Sequence, residues 1–558
     1  MDKTGIHPVS EGSCFERPMI TFKRRNKSNP NDVAEVEEII SSRESKNHRT
    51  NSVNEGDRLS ALNDNVLLHL LSFLPTLDAI RTCVLSKRWS YLWTFVPALS
   101  YNLERTSCCK NVDEFVSFVE KTIILNKSSK MFKFLLNFQQ HFGECYMVHL
   151  DSKVLDIWTR FATKANVEEL CLALYEDDFG LRCTMDYNLH MNYSLPKHIF
   201  GCSSLTKLYL SHCNIVPHGV ITWTLLKSLS IKNTKVSDDV MQKVLSGSPA
   251  LEVLEIRRCA GINRLDITSA SVRKLVIEDY WIWNKDDISF IYPSSEILEI
   301  LAPNIKVLEL LGHFGTKCQL VDVSSLVSAH IGFELNKRLV AVPDSTRAAK
   351  YYKESQNMLR ELLSSVRFVK ELTLGAWCFQ IITKLLEVKY LHSPLPECES
   401  LMLKARIREW ELQGMAKLLR NFPPLVKLTI DAATCKRTQD LLDHFGAEVK
   451  ISWASIGKTF NSLLLHDLKT VKIVGSCLCN EKQSIALAEF LLKNANVLET
   501  MVFTVSKKDC FLKYEEFGYP RCVPARYTTE DVLTIAGKLL SFPRSSPHAN
   551  ISFSWSML

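Results

Sequence analysis

The chain has 558 residues, too many for one ordinary core, so several domains or a repeat array are expected. Its 46% hydrophobic content excludes a mainly disordered protein. The net charge of +7 is a small excess of 68 basic over 61 acidic residues, too mixed to point to nucleic acid as a partner. Residues 1–54 combine charges of both signs with Ser, Asn and Pro, and hold only Phe15 and Phe22 as aromatics. Such a segment cannot offset its ordering entropy and is expected to be a disordered tail. Its Lys23-Arg24-Arg25-Asn26-Lys27 cluster reads as solvated charge in preference to a nuclear address.

Asp57 to Pro97 reads as two amphipathic helices and a corner. Leu62, Val66, Leu67, Leu70, Leu71 and Leu74 recur at helical spacing. Asn63 offers a cap, Asp64 sits beside the positive helix end, and Pro75-Thr76 breaks the run. A second helix follows from about Asp78 through Ile80, Cys83, Val84 and Leu85. So short a segment cannot bury this apolar surface alone and must dock on a neighbour or a partner.

These residues carry a resemblance. Leu62, the Leu70-Leu71-x-Phe73-Leu74-Pro75 run, Val84-Leu85-Ser86-Lys87-Arg88-Trp89 and Trp93 resemble the F-box of plant F-box proteins with leucine-rich repeats. The resemblance implies docking on a Skp-like adaptor and, through it, a cullin scaffold of a ubiquitin ligase. Leu62, Leu67, Leu71, Leu74, Pro75, Val84 and Trp89 are then expected to form the adaptor-binding surface. Asn63 and Asn65 depart from the family, which usually has Pro and an acidic residue there. Asn as a cap offsets most of the lost Pro.

Residues 101–165 are expected to link this module, placed at 57–100, to a downstream array. They hold an amphipathic helix over 111–125, with Phe115, Phe118, Val119 and Ile123 on one face, and a strand over 132–138. From Val167 the chain repeats an L-x-x-L-x-L pattern. Its anchors include Leu205, Leu226, Leu251 and Val272, spaced by 21, 25 and 21 residues. Residues 265–277 match 298–310 position by position at an offset of 33. A helix capped by Ser237 and ended by Gly247 lies between two such strands. The fold class is therefore α/β: a small helical F-box module followed by an irregular leucine-rich-repeat solenoid over 166–435. The wide gaps from Leu326 to Val369 and from Leu425 to Leu468 make it irregular. Residues 455–554, including Leu540-Ser541-Phe542-Pro543-Arg544, resemble the C-terminal FBD region of such plant proteins.

Strand alternation places Lys207, Tyr209, Lys232, Glu255, Arg257 and Lys274 on the face opposite the leucines, the expected target-binding surface. Tyr209 and Arg257 are its expected anchors. Catalytic motifs are lacking. The Gly457-Lys458-Thr459 stretch has Ser452 where a phosphate loop needs Gly, and His212-Cys213 reads as structural. The eighteen cysteines have no zinc spacing, since Cys108-Cys109 and Cys477-Leu478-Cys479 lack partner pairs. No cofactor, metal or enzyme activity is expected. With no signal peptide and no apolar run near ~18 residues, the sequence predicts no membrane partner, reduced thiols and a nuclear and/or cytoplasmic setting. The functional expectation is the substrate-recognition subunit of a Skp-cullin-F-box ubiquitin ligase, binding an unknown target protein. Two alternatives stay open: a non-ligase F-box regulatory protein, and a small-molecule-dependent receptor.

Overall fold

The structure, a computed structural model, describes residues 59, 61–103, 112–138, 150–174, 193–280, 297–314, 317–334, 345–384, 395–404, 415, 418–419, 425–432, 465–476, 481–506, 510–514, 520–524 and 529–556. The chain divides into Met1–Asp57, outside the described residues together with the Lys23 cluster, and Arg58–Leu558. Cys108-Cys109, Gly457-Lys458-Thr459 and Cys477-Leu478-Cys479 also lie outside the described residues.

Alternating apolar residues beyond Pro97 make one sheet of fifteen strands among the described residues, each hydrogen-bonded to the next in chain order. The strands are β1 (Ala98–Asn102), β2 (Lys133–Asn137), β3 (Glu169–Ala173), β4 (Lys207–Ser211), β5 (Ser228–Lys232), β6 (Val253–Arg257) and β7 (Lys274–Tyr280). Then come β8 (Val307–Phe314), β9 (Ser328–Phe333), β10 (Glu371–Gly375), β11 (Ser400–Lys404), β12 (Lys427–Asp431), β13 (Thr470–Ser476), β14 (Thr500–Ser506) and β15 (Asn550–Ser556). Every neighbouring pair is parallel, and apart from register shifts near the ends of the β7–β8 and β13–β14 pairs all are in register, so like positions of successive repeats stack in columns. One column runs Leu208, Leu229, Leu254, Leu275, Leu308, and a second runs Leu210, Ile231, Ile256, Ile277, Leu310; all ten are buried. Full burial of a Leu or Ile contributes about 1.5–3 kcal/mol, so the two columns carry the fold.

Two residues before each of strands β1–β14 stands a buried anchor that turns the chain into the sheet. Val167, Leu205, Leu226, Leu251 and Val272 fill this position as the sequence predicts. Met131 and Cys398 also fill it, before β2 and β11. The segment 101–165, expected as a link, thus supplies β2 and belongs to the same sheet. Strand β11 divides the interval between Val369 and Leu425.

The returning segments cover the leucine face. In chain order, the module has α1 (Asp64–Leu71) and α2 (Thr76–Arg81), and the repeats have α3 (Val112–Leu125), α4 (Ser152–Lys164), α5 (Asp238–Ser246), α6 (Ser345–Ser365), α7 (Ala376–Lys384), α8 (Glu481–Asn494) and α9 (Thr529–Ser541). Phe115, Val119, Trp158 and Val244 bring these helices into the leucine core. Ser237 caps α5 by accepting from the Val240 amide, and Gly247 ends it. Helix α6 occupies the wide interval after Leu326. In the middle of the array, strands Arg264–Asp266, Ile297–Leu301 and Lys317–Asp322 form a small parallel sheet in place of helices. This is the structural form of the internal match. Lys274 pairs with Val307 at the offset of 33, while the outer strands pair Leu265 with Ile300, two residues further on.

Candidate functional site

The helical module has a core of its own. Leu67 and Leu71, one turn apart on α1, pack with Ala79, Ile80, Trp89, Leu92, Trp93, Val96 and Ala98. Asn63 caps α1 by accepting the Val66 amide at 2.9 Å. Arg88 then ties the Ser-Lys-Arg-Trp corner back to the start of α1. Its Nε and Nη2 donate to Asp64 at 2.9 and 2.5 Å, and Nη2 also donates to the Leu62 carbonyl at 2.6 Å.

This core corrects the expected adaptor surface. Leu67, Leu71 and Trp89 point inward and are buried, and Leu62 is half-buried against them. The physical reason lies in Leu92, Trp93 and Val96, whose 3-10 turn at Leu92–Phe95 closes over α1 and supplies the intramolecular partner. Leu74 and Val84 are exposed, and Pro75 is half-buried at the start of α2. The outward apolar stripe is Val66 and Leu70 on α1 with Phe73 and Leu74 in the turn that follows it, with Phe73 72% exposed. Leu85 beyond α2 is 60% exposed. Phe73 is held against His69, edge on, with ring centroids 4.9 Å apart. Among the described residues the module therefore leaves a large apolar surface uncovered after its own core is complete, a feature that suits protein docking. Val66, Leu70, Phe73 and Leu85 carry it although sequence reasoning put them outside the site. The signal was legible: α1 has apolar residues around more than one face, so only one set could point inward.

The sheet offers the second surface. Lys207, Tyr209, Lys232, Glu255, Arg257 and Lys274 all stand on strands β4–β7, on the face opposite the leucine columns. Tyr209 lies in the row Ser230, Glu255, Val276, while Lys232 and Arg257 share a row with Glu278. Lys207, Glu255, Arg257 and Lys274 are neutralised in the plane of the sheet. Arg257 bridges Glu278 at 2.8 Å and Glu255 at 3.3 Å, and Glu255 accepts from Ser230. Lys207 pairs with Glu169 at 2.5 Å and Lys274 with Glu309 at 2.6 Å. A mesh of short pairs suits a protein surface of mixed sign better than a polyanion.

Farther along the same face, His330 lies between Glu309 on β8 and Thr373 on β10. Burial pushes its imidazole down to about 4, helped by Lys404 and Lys274 and opposed by Glu309. The floor beside it is bare backbone. A Cβ on Gly332 would sit 3.0 Å from His330 Nε2, and one on Gly375 would sit 2.9 Å from the Gly332 Cα. Sequence reasoning missed this place, because one histidine and two separated glycines carry no periodic signal.

The strand ends are built alike. His212, Asn233 and Arg258 each follow their strand, and Asp279 stands at the register shift near the end of β7; all four have φ between 49° and 57°. His212, Asn233 and Arg258 donate their amides to carbonyls of the next strand. Asp279 accepts from the His313 amide at 2.8 Å and faces Arg258 at 3.4 Å. Burial alone would raise its carboxyl, but the His313 and Arg258 contacts bring it below the usual carboxylate range. Neighbouring Cys213 and Cys259 are buried thiols pushed upward by desolvation, Cys259 to about 12, so both stay protonated structural groups.

Comparison with known proteins matches these surfaces to described domains. An F-box domain matches residues 59–99, the repeats of "FBD-associated F-box protein At5g56370, LRR repeats" match 155–301, and FBD matches 462–503. F-box/LRR-repeat protein At5g02910 of Arabidopsis thaliana is 30% identical over 455 residues, covering 81% of this chain and 89% of that protein. F-box/LRR-repeat protein At3g03360 of the same plant is 31% identical over 466 residues, covering 80% and 84%. F-box/FBD/LRR-repeat protein At2g26030, also from Arabidopsis thaliana, is 24% identical over 452 residues, covering 80% and 91%.

Proposed function

The chain belongs to the F-box/LRR-repeat proteins, and from that premise we propose that it is the substrate-recognition subunit of a Skp-cullin-F-box ubiquitin ligase. An F-box implies a Skp-like adaptor, and leucine-rich repeats imply a protein partner. The observation that carries the reading is the outward stripe of Val66, Leu70, Phe73 and Leu74, left uncovered after Leu67, Leu71 and Trp89 have closed the module's own core. In this reading the adaptor covers that stripe and joins the chain to a cullin scaffold in the nucleus and/or cytoplasm. The sheet face of Tyr209, Glu255 and Arg257 holds the target, and catalysis is proximity supplied to other subunits. The Asn63 cap supports adaptor docking, since it keeps α1 in place without the family's usual proline.

The test is affinity purification of the full chain from plant cells with the proteasome inhibited, scoring adaptor and cullin together. Recovery of both is expected. Adaptor without cullin would instead favour a non-ligase regulatory protein, and loss of both would sink the reading. In the same extract, Tyr209→Ala with Arg257→Ala should lower target recovery about thirtyfold and leave the adaptor unchanged. Equal target recovery would move recognition toward His330 or the segment around α6.

A further inference from the structure

The two ends of the sheet are finished differently. At the first end, the edge of β1 is closed by the helical module: the Ser100 amide donates to Thr76 Oγ1 at 2.7 Å, and α2 packs on β1. At the other end, β15 is last in the strand order, bonded to β14 on one side, with no described strand on the other. Asn550 donates its amide to the Glu499 carbonyl at 2.9 Å. By alternation along the strand, the amides and carbonyls of Ile551, Phe553 and Trp555 then point away from β14.

Soluble proteins usually blunt such an edge with charge, proline or a bulge. Residues 550–556 read Asn-Ile-Ser-Phe-Ser-Trp-Ser, with no charge and no proline. The register to β14 runs unbroken over all seven residues. Helix α9, packed on β15, adds Leu533 and Leu540, seven residues apart on one helix face and 67% and 56% exposed. Solenoids normally close their ends with a polar cap. This end has none among the described residues.

We infer that β15 pairs antiparallel with β15 of a second copy of this chain, joining two sheets end to end about a two-fold axis at Phe553. The sequence is self-complementary for that arrangement. With Phe553 opposite Phe553, Ile551 meets Trp555 and Ser552 meets Ser554, so apolar types face apolar types and serines face serines. The outward amides and carbonyls of 551, 553 and 555 meet as hydrogen-bonded pairs. Identical strands place like residues near one another, which penalises a charged edge, and this strand carries no charge. A head-to-tail alternative, β15 on β1, is blocked because the module occupies the β1 edge, so the contact closes as a dimer and does not propagate. The adaptor stripe lies fourteen strand spacings away, about 70 Å along the sheet, so dimerisation leaves it open.

The test is light scattering of the full chain, bound to its adaptor, during size exclusion at micromolar concentration. Two copies per particle are expected. The pair Ser552→Lys with Ser554→Lys sets lysines against lysines across the seam and should give one copy. Ser554 also shares a 2.8 Å hydrogen bond with Thr504, so loss of dimer by itself could reflect local damage. The variant Ser552→Glu with Ser554→Glu removes that control problem. It too should be single alone, and an equimolar mixture of the Lys and Glu chains should recover the two-copy particle. A wild-type chain with one copy per particle would overturn the inference. So would a Lys variant that stays paired, or a mixture that remains single.

Discussion

Trp89 and Phe73 look alike on paper, as large apolar residues in one docking module, yet the structure separates them. Trp89 is 5% exposed and lies among Leu67, Leu71 and Trp93, whereas Phe73 is 72% exposed. Truncating Trp89 to Ala should therefore cost about 3–5 kcal/mol of module stability and lose the adaptor as a consequence of unfolding. Phe73→Ala should leave the melting temperature unchanged and weaken adaptor binding about thirtyfold. Thermal melts beside adaptor titrations check both; a stable Trp89→Ala module would refute the core assignment. His330 gives a second contrast. Its folded state keeps the ring neutral down to about 4, while the unfolded chain takes up a proton near its ordinary value of about 6.5. Between these values the unfolded state binds more protons, so stability is complete above about 6.5 and falls as pH drops toward about 4. His330→Gln should flatten that acid limb in melts recorded across the window. An unchanged slope would assign the acid sensitivity to other groups.

At the scale of elements, the repeat was legible where anchors were Leu, Ile or Val and the helix between strands was capped by Ser237. It was not legible at β2 and β11, whose anchors are Met131 and Cys398. Burial at those positions demands an apolar shape, which sulfur-bearing side chains satisfy as well as leucine does. Nor did periodicity reveal that helices give way to strands at 264–266, 297–301 and 317–322, because short apolar runs fit either element. That α1 carries two apolar faces was legible, but which of them faces outward was hidden for a related reason: its inward and outward leucines differ only in what covers them, and Trp93 and Val96 lie twenty residues or more beyond the helix. One junction tests the packing directly. A Cβ on Gly247 would sit 2.6 Å from the Ile221 carbonyl and the Ile221 Cβ. Its φ of −81° suits any residue, so the obstacle is space alone. Gly247→Ala should cost about 1–3 kcal/mol by chemical denaturation. A neutral result would mean that α5 shifts freely on its neighbour.

For the whole molecule, the decisive contrast is between a docking module on a flexible tether and one that completes the solenoid. The contacts favour completion. The Lys127 amide donates to the Thr94 carbonyl at 2.7 Å, the Phe132 amide to Pro97 at 2.6 Å, and the Asn126 side chain to Val96 at 3.2 Å. Phe118 of α3 packs against both the module core and the leucine core. Removing residues 59–97 therefore does more than remove the adaptor site. It strips the Thr76 hydroxyl from the Ser100 amide and exposes the edge of β1, together with Leu99 and Tyr101, to water. In an array stabilised by nearest-neighbour contacts, damage at one end spreads inward by strands and fades with distance. Hydrogen exchange on the truncated chain should show lost protection in β1 and β2, partial loss in β3, and native protection from β6 onward. Intact protection in β1 would mean that the module hangs free of the sheet, and that target and adaptor are held at no fixed spacing.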